Sequence, residues 1–548
     1  MTQSYDYVIV GAGSAGCVIA HRLTENPDVS VLLLEAGGRD RQFFYRLALG
    51  FHSWRYPETN WQYETEPEPH LGDRRIPLPR GKVLGGSSTI NGMLYSRGHP
   101  LDYDRWRQMG CEGWGYADVL PYFKRSETNW RGEGTYHGGS GPLQVSRIDT
   151  RKLVHEPVME AARKLGYPIT DDHHGELHEG FGGGDTTTDR RGRRSSASRA
   201  YLDPVRSRPN LTIATGAYAT RIRVENGRVT GLDYVQDGKS KTVRAEREVI
   251  LAGGVYNSPQ LLMLSGIGPA DDLRSIGIEP ICDLPGVGRN LSEHAGYWTE
   301  HATREPITLL RELRADRLAI SLARWAMFGT GVLASQSNSC HAEVRSRPEL
   351  EQPDLQLYFN PARGDAKPWF PGIGERQEHR LSVVACLVQP DSRGWMELRS
   401  ADPRDKPRIS LNLMSERSDV DALVRSVEMV REVYETDPLA SLISHEVVPG
   451  PEVRGKAAIE QWLRNTLIVT HHAVGTCAMG IGSQSVVDPQ LRVRGIEGLR
   501  VCDASIMPTV PGGNTNAPSI MVGEKAADLI RGTSLPREEV REGLASAA

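Results

Sequence analysis

The sequence predicts an α/β fold of at least two interleaved units. Three observations carry this. The 548 residues exceed what one compact core holds. The chain opens on a strand–helix–strand pattern. Apolar runs of strand length recur far downstream, with no repeat and no low-complexity linker to separate beads on a string.

Taken in order, Tyr5–Val10 reads as a short buried strand, Gly11–Thr24 as a helix opened by glycines, and Val29–Glu35 as a second apolar strand. That is a βαβ unit. Residues 36–100 are rich in Gly, Pro, Arg and aromatics and read as long loops, which are usually functional. A β-rich stretch covers 211–252. Leu309–Met327 has helical periodicity. Leu355–Phe359, Leu381–Val388 and Trp395–Leu398 read as strands of a sheet in a second unit. The C-terminal region returns to Gly/Asn-rich turns and ends in a helix at Ala517–Ile530.

Composition excludes several classes. Charged residues make up 24% and the net charge is −4, so there is no general attraction for nucleic acid or an anionic membrane. No apolar run approaches the roughly 20 residues that span a bilayer, so no integral membrane segment is expected. The first strand begins near Tyr5, which leaves no room ahead of it for a secretory signal. Seven cysteines stand singly, as in a reducing compartment and not in a disulfide or zinc framework. The expected location is the cytoplasm, free or peripheral to the inner membrane. Asp171-Asp172-His173-His174 with His178 has a metal-like look but reads as a solvated loop, and no metal is expected. Arg190–Arg199 is basic, but no nucleic-acid role is expected of it. Cys477 reads as a small buried residue.

The first chemical signal is Val8-Ile9-Val10-Gly11-Ala12-Gly13-Ser14-Ala15-Gly16. Gly11 permits the tight turn, Gly13 lets backbone approach a pyrophosphate, and Gly16 allows close helix–strand packing. The following helix N-terminus offers free N–H groups and partial positive charge to phosphate. Glu35 ends the second strand, where a carboxylate can hold a ribose hydroxyl pair and disfavours a 2′-phosphate. This is a Rossmann-type dinucleotide site. FAD and NAD both satisfy it.

Two longer segments decide between them. Arg80-Gly81-Lys82-Val83-Leu84-Gly85-Gly86-Ser87-Ser88-Thr89-Ile90-Asn91-Gly92 and Gly254-Val255-Tyr256-Asn257-Ser258-Pro259-Gln260-Leu261-Leu262-Met263-Leu264-Ser265-Gly266-Ile267-Gly268 resemble the two signatures of the glucose–methanol–choline (GMC) oxidoreductases. Val255 stands where that family usually has a small residue or proline. The likeness runs from Tyr5 to about Asn290 and from Ser392 to Ile530, and is greatest to bacterial alcohol and choline dehydrogenase-like members.

The resemblance implies a Rossmann-type FAD-binding domain interleaved with an α+β substrate domain on an antiparallel sheet. The division would be 1–308 mainly FAD-binding, 309–465 mainly substrate-binding, and 466–548 a return to the FAD domain. It implies FAD held by Gly11, Gly13, Ser14, Ala15, Gly16, Glu35 and Ala36 at the first turn. Arg80, Val83, Gly85, Gly86, Ser87, Asn91 and Gly92 would follow in the second loop, with Ala219, Asp503, Ala504 and Thr515 beyond. Where relatives carry a flavin-linking histidine this chain has Ile90, so the FAD is expected to be non-covalent.

Thr470-His471-His472-Ala473-Val474-Gly475-Thr476 is similar to the family's His-Pro-x-Gly-Thr stretch, whose histidine is the catalytic base. Spacing to Gly475-Thr476 favours His472 over His471, although Ala473 replaces the proline. The family's second active-site residue, His or Asn, falls on Asn514. Asn is also a strong helix cap, but Asn516 is better spaced to cap the last helix. The chemistry suits these types. Neutral imidazole can take an alcohol proton near pH 7, an amide N–H can face a developing alkoxide, and the flavin takes the hydride because no protein side chain can. The resemblance thus implies an FAD-dependent alcohol dehydrogenase or oxidase passing electrons to oxygen, a quinone or another carrier. Lyase and light-driven decarboxylase relatives are the alternative, disfavoured by His472 with Asn514. Gly331–Arg345 departs from the Glu-x-Gly-Gly-Phe-like stretch of close relatives, placing Cys340 and His341 there. It is expected to line the substrate pocket.

Overall fold

The computed structural model describes residues 3–48, 56–150, 154–336, 338–373 and 377–538. Part of the 36–100 stretch, residues 49–55, and residue 337 of the divergent stretch lie outside these. In chain order the elements that carry the site begin with β1 (Gln3–Val10), α1 (Ser14–Leu23), β2 (Val31–Glu35), α2 (Pro100–Gln108) and β3 (Gly180–Gly182). Four strands follow: β4 (Leu211–Thr215), β5 (Ala217–Glu225), β6 (Arg228–Gln236) and β7 (Lys239–Leu251). Then come α3 (Gly254–Leu264), β8 (Ala295–Thr303), α4 (Ala315–Phe328), β9 (Cys340–Val344), β10 (Leu355–Asn360) and β11 (Arg380–Leu387). The chain ends on α5 (Arg417–Tyr434), β12 (Ile443–Val448), β13 (Ile468–Val469), β14 (Leu499–Val501) and α6 (Asn516–Arg531).

The first sheet runs β4-β2-β1-β7-β6-β5, with β14 also on β7. β4, β2, β1, β7 and β14 pair in parallel, whereas β5, β6 and β7 form an antiparallel meander. β2 is buried on both faces, which is why Val31–Leu34 reads as an unbroken apolar run. Helix α6 lies so close to α1 that a Cβ on Gly523 would come within 2.9 Å of Ala15 O. This contact brings the C-terminal segment back over the first turn.

The second sheet is antiparallel, in the order β12-β8-β11-β10-β9-β3, with β13 pairing β8. It draws β3 and β8 from before residue 309 and β13 from after 465, so its strands are recruited from the whole chain. The 355 and 381 runs are its strands as expected. The run at 395 is not: Trp395–Glu397 pairs with Arg408–Ser410 in a separate two-stranded sheet. A short alternating run fixes strand conformation but not the partner, which is chosen by tertiary packing.

Among the described residues no helix is long and apolar enough to cross a membrane. The cysteines are free, and Cys477 is buried as expected. The stretch expected to be a solvated loop is instead folded inward. His173, His174 and His178 are buried; the His173 ring lies 4.7 Å from that of His341, and His174 Nε2 is 3.2 Å from Tyr95 O. Burial makes all three poor proton acceptors and pushes His173 down to about 4. A neutral imidazole can pack among other rings without the cost of burying a charge. No group of three or more His, Cys, Asp or Glu among the described residues has a metal-holding arrangement.

Candidate active site

One cavity of about 880 Å³ runs from the first turn of the N-terminal βαβ unit to His472 and Asn514. At its inner end three glycines have different duties. Gly11 has φ +100°, and a Cβ there would sit 2.4 Å from Ala252 O. A Cβ on Gly16 would sit 2.0 Å from Gly11 O. Both are fixed by the protein's own packing. Gly13 is different: its Cβ would meet only Ala252 O, at 3.8 Å, and Gly13 lines the cavity. Ser14 and Ala15 line it as well, at the N-terminus of α1, and Ser14 Oγ donates to Asn516 Oδ1 at 2.8 Å.

Glu35, at the end of β2, accepts the Ala12 N–H at 3.0 Å and the Gly37 N–H at 2.8 Å. Burial nonetheless raises its carboxyl to about 7. Ala36 lies beside it on the wall. The second glycine loop folds onto the first. Gly85 and Gly86 both have positive φ, and a Cβ on Gly86 would lie 2.8 Å from Gly13 Cα. Ser87, Asn91 and Gly92 line the cavity from this loop, as do Ala219, Asp503, Ala504 and Thr515 from elsewhere. Buried Arg194 holds the Asn91 carbonyl and side-chain oxygen, each at 2.7 Å, which gives the basic segment a structural use. Asp503 accepts the Gly254 N–H at 2.8 Å and the Ser258 hydroxyl at 2.6 Å, tying the start of α3 to the C-terminal segment. Of the residues expected around a dinucleotide, Gly16, Val83 and Gly85 lie just behind the wall; the others line it. Ile90 lines it too. A glycine-lined helix N-terminus, a buried carboxyl at the strand end and a long continuous cavity fit FAD.

At the far end, Asn514 Nδ2 donates to His472 Nε2 at 2.9 Å. That leaves the Nε2 lone pair facing the amide. His472 Nδ1 lies 3.0 Å from both Thr470 Oγ1 and His294 Nδ1. The His472 N–H donates to buried Glu293 Oε1 at 2.5 Å, and Arg80 approaches Glu293 at 3.5 Å. Burial raises the Glu293 carboxyl to about 7. Arg80 also donates to His471 O at 2.9 Å, and His471 takes up positive φ. The doublet thereby turns both rings toward the cavity but gives only His472 to Asn514. Burial, reinforced by His294, His471 and Arg80, holds His472 well below the usual imidazole range, so its ring is neutral at pH 7.

Asn514 caps no helix, and neither does Asn516. The cap position of α6 falls to Thr515, without a side-chain cap bond, and Asn516 is its first helical residue. Spacing identified a cap-forming residue type; the hydroxyl of Ser14 on α1 claims its oxygen instead. A second correction concerns 331–345. Its described residues lie off the cavity wall, and Cys340 and His341 are buried in β9. The wall there is the neighbouring β10, through Tyr358, because β9 is one strand further out. Tyr358, Glu293 and His294 were not singled out from sequence. The adjacent acid and imidazole at 293–294 are the one local signal that offered them.

The model for GMC oxidoreductase matches residues 5–296, and its C-terminal counterpart matches 390–523. Mitochondrial choline dehydrogenase of Mus musculus is 42% identical over 97% of this chain and 90% of its own. Oxygen-dependent choline dehydrogenase of Sinorhizobium fredii is 43% identical over 96% and 95%. Among solved structures, pyridoxine 4-oxidase from Mesorbium loti superposes with TM-score 0.85 at 30% identity, covering 95% of this chain and 98% of that one. Formate oxidase of Aspergillus oryzae gives 0.90 at 28%, covering 97% and 98%.

Proposed function

The chain belongs to the GMC oxidoreductase family, and from that premise we propose how its own side chains carry out FAD-dependent oxidation of an alcohol to an aldehyde or ketone. The hydrogen bond between Asn514 Nδ2 and His472 Nε2 carries the reading. It sets a proton acceptor and a proton donor side by side on the cavity wall. An alcohol oxygen received by this pair gives its proton to His472 Nε2 and is held by the Asn514 amide as negative charge develops. Glu293 and Thr470 hold the His472 loop and ring in place. Bound FAD supplies the hydride acceptor that no side chain can provide. Gly13, Ser14, Glu35, Ser87 and Asp503 would hold it, without a covalent link because Ile90 offers no nucleophile. The 1–308, 309–465 and 466–548 division corresponds, on this reading, to a mainly FAD-binding segment, a mainly substrate-binding segment and a return to the FAD domain that carries His472 and Asn514.

The substrate is a small alcohol; the electron acceptor is oxygen, a quinone or another carrier. The bacterial relatives' names favour oxygen, and mixing reduced protein with oxygen or a soluble quinone distinguishes them. The reading is tested by adding alcohols anaerobically in the dark. Bleaching of the yellow band, with the colour left in the supernatant after acid precipitation, is the expected result. A flavin that no alcohol bleaches would overturn it. Nothing favours the lyase or photodecarboxylase reading over this one.

Asn514 can be tested against a purely structural role. Asn514→His keeps a donor and is expected to retain appreciable flavin reduction. Asn514→Asp puts an acceptor-only charge beside the developing alkoxide and is expected to lose ~10²–10³ in rate. Single-turnover reduction and melting temperature of both variants decide. An active Asp variant beside an inactive, destabilised His variant would make Asn514 scaffold.

A further inference from the structure

Behind Asn514 a line of buried polar side chains leads away from the cavity into the second sheet. Tyr358 Oη donates to Asn514 Oδ1 at 3.0 Å and also meets Gln356 Oε1. Gln356 Nε2 lies 3.3 Å from Glu343 Oε1. The register explains the line: His341 pairs with Tyr358 and Glu343 with Gln356 across β9 and β10, so all four share one face. Gln356, Glu343 and Tyr358 are buried, at 0%, 3% and 5% exposure. Buried polar groups in such a chain must each find a partner.

With the Gln356 amide in this orientation the hydrogen bonds do not balance. Tyr358 has one hydroxyl hydrogen and faces two carbonyl oxygens. A half-turn of the Gln356 amide, which exchanges its N and O, removes the conflict. Gln356 Nε2 then donates to Tyr358 Oη, and Gln356 Oε1 requires a donor from Glu343. Of the two side chains bonded to Gln356, only a protonated Glu343 provides one on that side. The sequence Glu343 O–H, Gln356 N–H, Tyr358 O–H and Asn514 N–H then donates in one direction and ends on His472 Nε2.

We propose that Glu343 and Tyr358 are positioning residues, and that protonated Glu343, acting through Gln356 and Tyr358, fixes the Asn514 amide with its N–H₂ toward His472 and the substrate oxygen. Loss of the Glu343 proton reverses the line. The carboxylate takes the Gln356 N–H, Gln356 takes the Tyr358 hydrogen, and Asn514 Oδ1 is left without a donor. Burial, helped by the negative charge of Asp102 on α2 and opposed by the hydrogen bond from Gln356, raises Glu343 to about 8, which favours the acid at neutral pH. The other groups facing it agree. His341, on the same strand with Nε2 3.7 Å away, is kept neutral by burial. Asp102 accepts from Gln352, Gln389 and the N–H groups of His99 and Gly512. β3 presents Gly180 opposite Glu343.

The inference rests on His472 and Asn514 being the substrate-facing pair. Its test is single-turnover flavin reduction by an alcohol substrate, measured on the FAD-loaded enzyme across neutral and alkaline pH. Wild type should lose rate on an alkaline limb with an apparent pKa near the about 8 of Glu343. Glu343→Gln, whose amide donates as the acid does, should lack that limb. Tyr358→Phe should reduce about 10- to 100-fold more slowly, with the loss in the limiting reduction rate and not in the substrate Kd, and with FAD content retained. A limb that persists in Glu343→Gln, or a Tyr358→Phe enzyme as fast as wild type, overturns the proposal. If the His472 and Asn514 variants are slow while Tyr358→Phe is fast, only this inference falls. If all are fast, the site reading falls with it.

Discussion

His472→Ala is expected to keep its FAD and to lose ~10²–10⁴ in the rate of flavin reduction, the usual worth of a general base, or roughly 3–5 kcal/mol. The imidazole touches the cavity through Nε2 and the scaffold through Nδ1, where Thr470 and His294 hold it. Truncation removes the proton acceptor and leaves Asn514 Nδ2 without its partner, while the glycine loops at the other end of the cavity are untouched. His471→Ala separates the two members of the doublet. His471 makes no bond to Asn514, and Arg80 holds it by its backbone oxygen, so that variant should lose much less. Stopped-flow reduction of both proteins at matched flavin content is the measurement. Wild-type reduction in His472→Ala beside a slow His471→Ala would transfer the role to the neighbour.

Gly13→Val is expected to give a folded protein that purifies without FAD. Gly13 has a φ of −80°, which valine tolerates, and its added Cβ would meet only Ala252 O, at 3.8 Å. The branched side chain therefore projects into the cavity, over the N-terminus of α1 where a pyrophosphate would lie. Gly16→Val makes a different error. Its Cβ would sit 2.0 Å from Gly11 O, so it should damage the fold itself. Flavin absorbance per mole of protein, with far-ultraviolet circular dichroism and melting temperature, distinguishes the two. A Gly13→Val protein with normal FAD would remove the N-terminal turn from the cofactor site.

By itself, the sequence determined the βαβ opening, the glycine turn, the second glycine loop and the identity of the histidine doublet. These are local. A glycine at positive φ, an unbroken apolar run and a carboxylate at a strand end are each dictated within a few residues. The resemblance then assigned chemistry to His472 and Asn514. What lay beyond reach was partnership across distance. Asn516 was placed as a cap from its spacing, yet Ser14, far off in sequence, takes its side chain. His173, His174 and His178 have the composition of a solvated loop, yet the strands around them leave an interior in which rings pack. The divergent 331–345 stretch was expected at the substrate, yet its strand β9 stands one place beyond β10, which supplies Tyr358 to the cavity wall. Glu343, Gln356 and Tyr358 become a line only when β9 and β10 pair in one register. A one-residue slip of β9 would turn Glu343 to the other face, away from Gln356. Periodicity fixes which face of a strand is buried, but only the assembled sheet decides what that face meets.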